Sequence, residues 1–174
     1  KSDVHLIEIS ADNFLTYRQD IIQLEKKVYE PARQTDIEKF EHTVLNRHSI
    51  CLGVLSKTNQ QLVGIAFAGP LKLYPLERGV RMDPYYEEDN SLYMLDVTID
   101  PILQGSGLGR TLKYALSAMA LTKGIKRIQG RNRDRLASAM ININMSLGAI
   151  EQNYMREDYP DFEAYRDVLY YTTK

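Results

Sequence analysis

The stretch that decides the fold is residues 99–124, IDPILQGSGLGRTLKYALSAMALTKG. It predicts the end of a strand, a short turn containing Gly105, Gly107 and Gly109, and a helix whose apolar residues recur every three or four positions. Glycines permit a tight turn and a close approach to a ligand, and the unpaired N–H groups at a helix start attract a phosphate group. Arg110 adds a positive charge at the same place. The pattern therefore predicts a phosphate-binding loop, with a plain connecting turn as the alternative.

Spacing separates the nucleotide-type motifs that could account for this loop. A dinucleotide fingerprint needs Gly-x-Gly-x-x-Gly, and Arg110 stands where the third glycine belongs. A Walker loop needs Gly-Lys-Ser/Thr, and Gly109 is followed by Arg110 and Thr111. The pattern that fits is Gln/Arg-x-x-Gly-x-Gly/Ala, formed by Gln104, Gly107 and Gly109.

This pattern, together with the helix that stops at Gly124 and the downstream SLGA segment, resembles the acetyl-CoA signature of the GNAT superfamily, the Gcn5-related N-acetyltransferases. The predicted order of elements is strand, two helices, hairpin, central strand, helix, strand, helix and two strands, which resembles the GNAT topology over essentially the whole chain. The resemblance implies an α/β fold, a single domain over residues 1–174, with a mixed central sheet and about four flanking helices. The central strands, residues 92–99 and 126–130, are expected to splay apart.

Helix starts can also be predicted. Thr35 and Glu38 have the spacing of a capping box, which predicts that the second helix begins at Thr35. Asp134 can cap the final helix, and Gly148 would end it.

Composition narrows the classes of partner. The formal net charge of −1 over 174 residues gives no basic face for nucleic acid. The single cysteine excludes an internal disulfide and favours a reducing, cytoplasmic compartment. No apolar run is long enough to span a membrane, and the three histidines have no metal-ligand spacing, so neither a membrane nor a metal is expected. Lys1 in place of Met leaves open whether the domain was cut from a longer chain, and a homodimer also stays open.

The resemblance implies direct transfer of an acetyl group from acetyl-CoA, the donor co-substrate, to a primary amine. Backbone groups of residues 97–99 would align the pantetheine and polarise the thioester, and residues 104–111 would hold the pyrophosphate. Arg131, Arg133 and Arg135 would either reach the CoA 3′-phosphate or form a solvated rim. The residues expected at the cofactor are Val97, Thr98, Ile99, Gln104, Gly105, Ser106, Gly107, Leu108, Gly109, Arg110, Thr111 and, after the second splayed strand, Asn132.

The chemistry requires a neutral amine, and an amine with a pKa of about 10.4 is almost wholly protonated at pH 7. A general base is therefore expected. Asp96 is a candidate because it interrupts an otherwise apolar strand, and Glu87 and Glu88 are candidates because they lie on a loop. Where some family members place a glutamate on the central strand, this sequence has Tyr93.

The departing thiolate benefits from a proton donor. Many GNAT enzymes place a tyrosine four residues before the glycine of the final helix, where this sequence has Asn144. Asn144 can donate a hydrogen bond to sulfur but cannot give up a proton, so Tyr154, Tyr159 or solvent would supply it. A bond to a neighbouring residue is the structural alternative for Asn144.

Residues 69–90 are too long for an ordinary hairpin connection, and they form either a binding loop or a solvated loop. Tyr86 and Glu87 lie in its acidic part and suit a cationic amine, and Tyr29 and Tyr93 complete the expected acceptor site. The acceptor is expected to be a small molecule such as an amino acid. The alternatives are a protein lysine or N-terminal amine, a non-catalytic acyl-CoA sensor and, as a third class, nucleotide hydrolysis.

Overall fold

The computed structural model of the chain describes residues 3–77, 79–133, 136–155 and 165–172. Its helices and strands follow the spacing of apolar residues and the positions of glycines. Short 3₁₀ turns lie at Pro31–Arg33, Leu71–Leu73, Val80–Met82 and Pro101–Leu103. The helices and strands are, in chain order, β1 (Val4–Glu8), α1 (Phe14–Val28), α2 (Ile37–Leu45), β2 (Ile50–Ser56), β3 (Leu62–Pro70), β4 (Ser91–Ile99), α3 (Leu108–Thr122), β5 (Arg127–Arg133), α4 (Ser138–Ser146), β6 (Ile150–Met155) and β7 (Tyr165–Thr172).

The chain forms two compact units, Lys1–Gly69 with Leu95–Leu116, and Pro70–Met94 with Ser117–Lys174. In the first unit the strand order is β1-β2-β3-β4, with antiparallel pairing of β1 with β2 and of β2 with β3. Its core contains the edge-to-face pair Phe40 and Phe67, whose ring centroids lie 5.0 Å apart. Ile21 and Leu24 of α1 are buried in the same cluster.

In the second unit the strand order is β4-β5-β7-β6. Ser91–Tyr93 of β4 pair in parallel with Arg127–Gln129 of β5, whereas β7 pairs antiparallel with both β5 and β6. The pairing is therefore mixed, and with four α-helices in the described ranges the chain has the α/β class that the sequence predicts.

Two glycines end helices as expected. Gly124 has φ +73°, and the next residue, Ile125, donates its N–H to the Ala120 carbonyl at 2.9 Å. Gly148 has φ +86°, and Ala149 donates its N–H to the Asn144 carbonyl at 3.0 Å. Both are Schellman motifs, in which a left-handed residue satisfies the last helical carbonyls and glycine adopts that conformation at low cost. Asp134, the expected cap of α4, lies outside the described residues.

The predicted capping box is wrong. The helix begins at Ile37 with Asp36 as the N-cap residue, and no side chain caps it. The reason is a contact outside the helix, because the Thr35 N–H donates to Glu25 Oε2 at 2.8 Å.

Strand β5 extends three residues beyond its predicted end at Gly130. It continues because β7 pairs with its last part, Asn132 with Arg166 and Arg133 with Tyr165, after an irregularity. Asn132 therefore lies within the strand and not after it.

The long segment between β3 and β4 is an ordered part of the second unit. Its two 3₁₀ turns bury Leu71 and Val80 completely, and Tyr74 is 4% exposed. Three of its apolar side chains are thus buried, while Leu76 and Met82 are exposed, so the described part of the segment is neither wholly solvated nor wholly buried.

Candidate functional site

The glycine-rich loop, residues 104–111, connects β4 to α3 through two left-handed glycines. Gly105 has φ +79° and Gly107 has φ +89°, backbone angles that residues other than glycine rarely adopt. The first intrahelical bond of α3 runs from the Thr111 N–H to the Gly107 carbonyl at 3.0 Å. The N–H groups of residues 107–110 precede that bond and have no partner within the helix.

Side chains and backbone hold this loop in shape. Asp100 Oδ1 accepts from the Ile102 N–H at 3.1 Å, and the Gln104 side-chain amide donates to the Ile99 carbonyl at 3.1 Å. The Ser106 hydroxyl donates to the Leu103 carbonyl. Gln104, which the resemblance assigned to the cofactor, thus also ties the loop to the end of β4.

The loop can accommodate a phosphate group. A Cβ built on Gly105 or on Gly107 would meet no atom within 4 Å, so both glycines face open space. The first turn of α3 contains no acidic residue, and Arg110 is exposed there. Free N–H groups, a helix N-terminus and a guanidinium together form a site for an anion such as a pyrophosphate.

The structure also places a buried acid cluster in the first unit, formed by Glu25, Tyr29, Asp96 and Thr98. Glu25 lies in the last turn of α1, and Tyr29 is the C-cap residue of that helix, whose N–H donates to the Glu25 carbonyl at 2.9 Å. Asp96 and Thr98 are two residues apart on β4 and share a sheet face. Thr98 Oγ1 donates to Asp96 Oδ1 at 2.8 Å, and Tyr29 Oη donates to the same oxygen at 3.2 Å. Thr98 Oγ1 also lies 3.3 Å from Glu25 Oε1.

Burial and proximity change the proton affinities of this cluster. Burial, followed by the negative charge of Asp96, raises the pKa of the Glu25 carboxyl to about 10. Burial also raises the pKa of Asp96, against hydrogen bonds from Glu25, Thr98 and Tyr29 that favour its anion. Burial and the charge of Asp96 raise the pKa of Tyr29 well above its usual value, so the phenol keeps its proton. The cluster can therefore hold protons that exposed carboxyl groups would lose at neutral pH.

Comparison with solved structures assigns the fold. The ribosomal-protein-S18-alanine N-acetyltransferase of Escherichia coli matches with a TM-score of 0.73 at 16% identity, covering 98% of this chain and 94% of its own. The yncA protein of Salmonella typhimurium, solved with its cofactor acetyl-CoA, matches with a TM-score of 0.69 at 16% identity, covering 99% and 95%. A GNAT-family acetyltransferase of Staphylococcus aureus Mu50 matches with a TM-score of 0.63 at 18% identity, covering 98% and 99%.

The chain has the GNAT fold. No protein-family model matches the sequence, and a comparison with curated proteins gives no significant match. The GNAT fold that the glycine-rich loop and the order of elements predict is thus confirmed.

Within this GNAT fold, the second unit brings together two predicted residues, Asn132 and Asn144. Asn144 is fully buried, and its Nδ2 donates to Asn132 Oδ1 at 2.8 Å. Among the described residues, no donor reaches Asn144 Oδ1. Asn144 therefore makes the bond to another residue that was the structural alternative to a catalytic role, and among the described residues its Oδ1 has no hydrogen-bond partner.

The predicted acceptor residues of the second unit differ in exposure. Tyr93 is 5% exposed and packs on Tyr74, with ring centroids 5.2 Å apart. Tyr86 is half-buried and Glu87 is exposed. Glu88 accepts from Arg127 Nη1 at 2.9 Å, and this ion pair occupies its carboxylate.

Arg131 was expected either to reach the CoA 3′-phosphate or to lie on a solvated rim, and in the structure its side chain is buried and contacts an acid. Its side chain is 8% exposed, and Nη1 lies 3.6 Å from Glu77 Oε2. Arg135 and Tyr159 lie outside the described residues, and of Tyr154 the structure describes the backbone, which pairs with Arg166 of β7.

Sequence reasoning missed Glu25. Its signal was present, because Glu25 follows Ile21 by four residues and therefore lies on the buried face of α1. An acid at such a position needs a partner.

In the described part of the chain no group of three metal-ligating side chains occurs, and no helix there is long and apolar enough to cross a membrane.

Proposed function

We propose that the chain binds acetyl-CoA and transfers its acetyl group to the primary amine of a small molecule such as an amino acid. The observation that carries this proposal is the glycine-rich loop, with N–H groups that have no partner within the helix, two left-handed glycines and the open space beside them. Acetyl-CoA, when bound, supplies an acetyl thioester that a neutral amine can attack.

Each part of the chain then has a task. Residues 104–111 hold the pyrophosphate through N–H groups and Arg110, which place positive charge against negative oxygens. Backbone groups of residues 97–99 align the pantetheine, as the GNAT resemblance implies. Asp96 accepts the proton of the acceptor's ammonium group, because it carries the carboxylate adjacent to that backbone segment.

The thiolate that leaves needs a hydrogen bond or a proton. Asn144 is a candidate donor to sulfur, with Asn132 fixing the orientation of its amide. Tyr154, Tyr159 or solvent provides the proton itself in this proposal. Tyr86 and Glu87, with Tyr29 and Tyr93, are proposed on the acceptor side. The proposed compartment is the cytoplasm.

Calorimetric titration with acetyl-CoA tests the loop, and the chain offers a matched pair of glycines. Gly107 and Gly124 both have positive φ and open space around a built Cβ, but Gly107 immediately precedes α3 and Gly124 follows its end. Gly107→Ala and Gly124→Ala therefore introduce a similar backbone strain of about 1–2 kcal/mol. The proposal expects weaker acetyl-CoA binding for Gly107→Ala alone. Equal affinities for the two variants would contradict it.

A thiol-release assay over a panel of amines tests the reaction. Free CoA that appears with small amines, in the presence of acetyl-CoA, supports the proposed acceptor class. Binding without release for any amine, peptide or protein would contradict an enzyme and favour an acyl-CoA sensor.

A second acceptor class has one observation in its favour. The Escherichia coli structure with a TM-score of 0.73 is named for acetylation of an alanine of ribosomal protein S18. A peptide with a free N-terminal alanine, and a lysine peptide with a blocked N-terminus, therefore belong in the panel. Turnover of either peptide above that of free amino acids would replace the small-molecule acceptor with a protein amine.

A further inference from the structure

The acid cluster contains more short oxygen contacts than its two hydroxyl groups can fill. Thr98 Oγ1 lies 2.8 Å from Asp96 Oδ1, 3.2 Å from Tyr29 Oη and 3.3 Å from Glu25 Oε1. A threonine hydroxyl has one proton, and the shortest of these contacts directs it to Asp96. The contact with Glu25 then requires a proton from Glu25 itself.

The charges of the cluster lead to the same conclusion. Glu25 is 2% exposed and Asp96 is 8% exposed. None of the main contributions to the pKa of either carboxyl group comes from a lysine, arginine or histidine of the described residues, and Lys27 donates to Asp100 instead. Two adjacent buried carboxylates without a cation are unfavourable, so one of them keeps a proton.

Hydrogen bonds decide which carboxyl group keeps the proton. Asp96 accepts from two hydroxyl groups, those of Thr98 and Tyr29, and this stabilises its anion. Glu25 accepts a single backbone N–H, that of Thr35. Burial raises the pKa of both carboxyl groups, and the charge of Asp96 raises that of Glu25 further. Glu25 is therefore the neutral member of the pair and Asp96 the charged one.

One oxygen of the anion remains available. Asp96 Oδ2 is buried, and no donor group of the described residues reaches it. A buried carboxylate oxygen without a donor is costly. A ligand with a cationic N–H group would remove that cost.

We propose that Asp96 binds the acceptor's ammonium group and takes its proton, while Glu25 stays protonated and donates its proton to Thr98 Oγ1, so that the Thr98 hydroxyl is directed at the Asp96 carboxylate and positions it. This inference rests on the proposed function and adds to it that the acceptor enters as a cation. Glu25 is a positioning residue, and Asp96 is the base.

The proton transfers balance. One ammonium proton moves to Asp96, and the freed electron pair of nitrogen forms the bond to the acyl carbon. The carbon–sulfur bond breaks and sulfur keeps its electron pair. Tyr154, Tyr159 or solvent protonates the thiolate, the second proton that nitrogen loses replaces the proton given up there, and Asp96 returns its own proton to solvent. Glu25 begins and ends protonated.

Two substitutions at Glu25 and one at Asp96 test these roles by kcat/KM in the thiol-release assay. Glu25→Gln keeps a neutral donor of the same shape, so its kcat/KM should stay within about threefold of wild type, which corresponds to about 0.65 kcal/mol. Asp96→Asn cannot accept a proton, and we expect a loss of about 10²–10⁴-fold. Glu25→Leu removes the donor, and misplacement of Asp96 should reduce kcat/KM by about tenfold or more.

Glu8→Gln is the control, because Glu8 is exposed at the end of β1 and should behave as wild type. A loss in Glu25→Gln as large as that in Asp96→Asn would overturn the proposal, because Glu25 would then act as a charged group. Equal activities for Glu25→Leu and Glu25→Gln would overturn the positioning role.

The pH dependence of stability tests the retained proton without any activity. A carboxyl group with a folded-state pKa near 10 and an unfolded value near 4.5 keeps a proton that the unfolded chain has lost between those pH values. Each retained proton lowers the folding equilibrium constant about tenfold per pH unit as pH rises. Denaturant titrations of wild type between pH 5 and pH 7 should show this slope, and Glu25→Gln should lack it.

Parallel slopes for wild type and Glu25→Gln would contradict the protonated Glu25 even if the enzyme turns over. Wild-type protein that releases no CoA with any acceptor would contradict the proposed function, and the stability slopes would still decide the protonation of Glu25. The two failures are thus distinguishable.

Discussion

The glycine-rich loop and the acid cluster differ in how they are built, although both lie in the first unit. The loop is exposed, and its shape comes from glycines and hydrogen bonds between residues at most five apart, such as Gln104 with Ile99. The acid cluster is buried, and apart from the bond of Thr98 with Asp96 its side-chain contacts join residues 67 to 73 positions apart, such as Tyr29 with Asp96. A loop held by bonds between neighbouring residues can be predicted from a short stretch of sequence. Contacts between residues far apart in the sequence become known only from the folded structure.

The substitution from which we expect the largest effect disrupts the glycine-rich loop and leaves the acid cluster unchanged. Gly107→Glu adds a carboxylate at a helix N-terminus and a side chain at φ +89°. Strain and repulsion of the pyrophosphate should lower acetyl-CoA affinity on the order of 100-fold. Calorimetry measures the affinity, and denaturant titration checks that the variant is folded. Unchanged affinity in a folded variant would show that phosphate does not bind at this helix start.

A pair of threonine substitutions compares the two regions directly. Thr98→Val leaves the buried oxygens of Asp96 and Glu25 without their shared hydroxyl and should lower the free energy of unfolding by about 1–3 kcal/mol. Thr111→Val removes a hydroxyl that donates to the exposed Gly107 carbonyl at 3.2 Å. That loss should stay within about 0.5 kcal/mol, because water can replace the bond. Denaturant titration at pH 7 measures both, and equal losses would contradict the difference in burial that separates the regions.

The success and failure of sequence reasoning follow the same division. The loop, the helix after it and the stop at Gly124 depend on residues 99–124 alone, and all three were predicted. The capping box failed because Glu25, ten positions away, takes the Thr35 N–H. The end of β5 was predicted too early because β7, far along the chain, extends the pairing. The sequence shows Asp96 as an acid in an otherwise apolar strand, but its partners Glu25 and Thr98 could not be assigned without the packing of α1 on β4.

A third prediction concerns Lys113, a buried lysine of α3 in the same unit. Burial lowers the pKa of its ammonium group to about 7 from 10.5. Between these values the unfolded chain binds the proton that the folded chain has lost, so stability from this group rises with pH, by about 1.4 kcal/mol per pH unit. This sign is opposite to that of Glu25.

Lys113→Met should remove that rise between pH 7 and pH 9, measured as the difference in unfolding free energy from wild type. Glu25→Gln changes the slope in the other direction over the same range, so the two variants control for each other. A constant difference between Lys113→Met and wild type across this range would contradict the lowered pKa.

The smallest effect that we expect is at the edge of the loop. Lys27 Nζ lies 3.0 Å from Asp100 Oδ2, and the lysine side chain is 59% exposed. Burial raises the pKa of Asp100, but the bonds from Lys27 and the Ile102 N–H outweigh it and lower the pKa overall. This stabilisation is present above the unfolded pKa and is lost as pH falls through the folded one. Lys27→Met should cost less than about 1 kcal/mol at pH 7, and less still in high salt. A larger loss that salt does not reduce would indicate a packing role for the lysine stem.

The bonds of Asp100, Gln104 and Ser106 within the loop have a kinetic consequence. A segment that is already folded has little conformational entropy left to lose when a ligand arrives. Acetyl-CoA association should therefore follow a single exponential whose rate constant rises linearly with cofactor concentration, with no slower ordering phase. Gln104→Ala, which releases one of the three ties, should slow association more than it speeds dissociation.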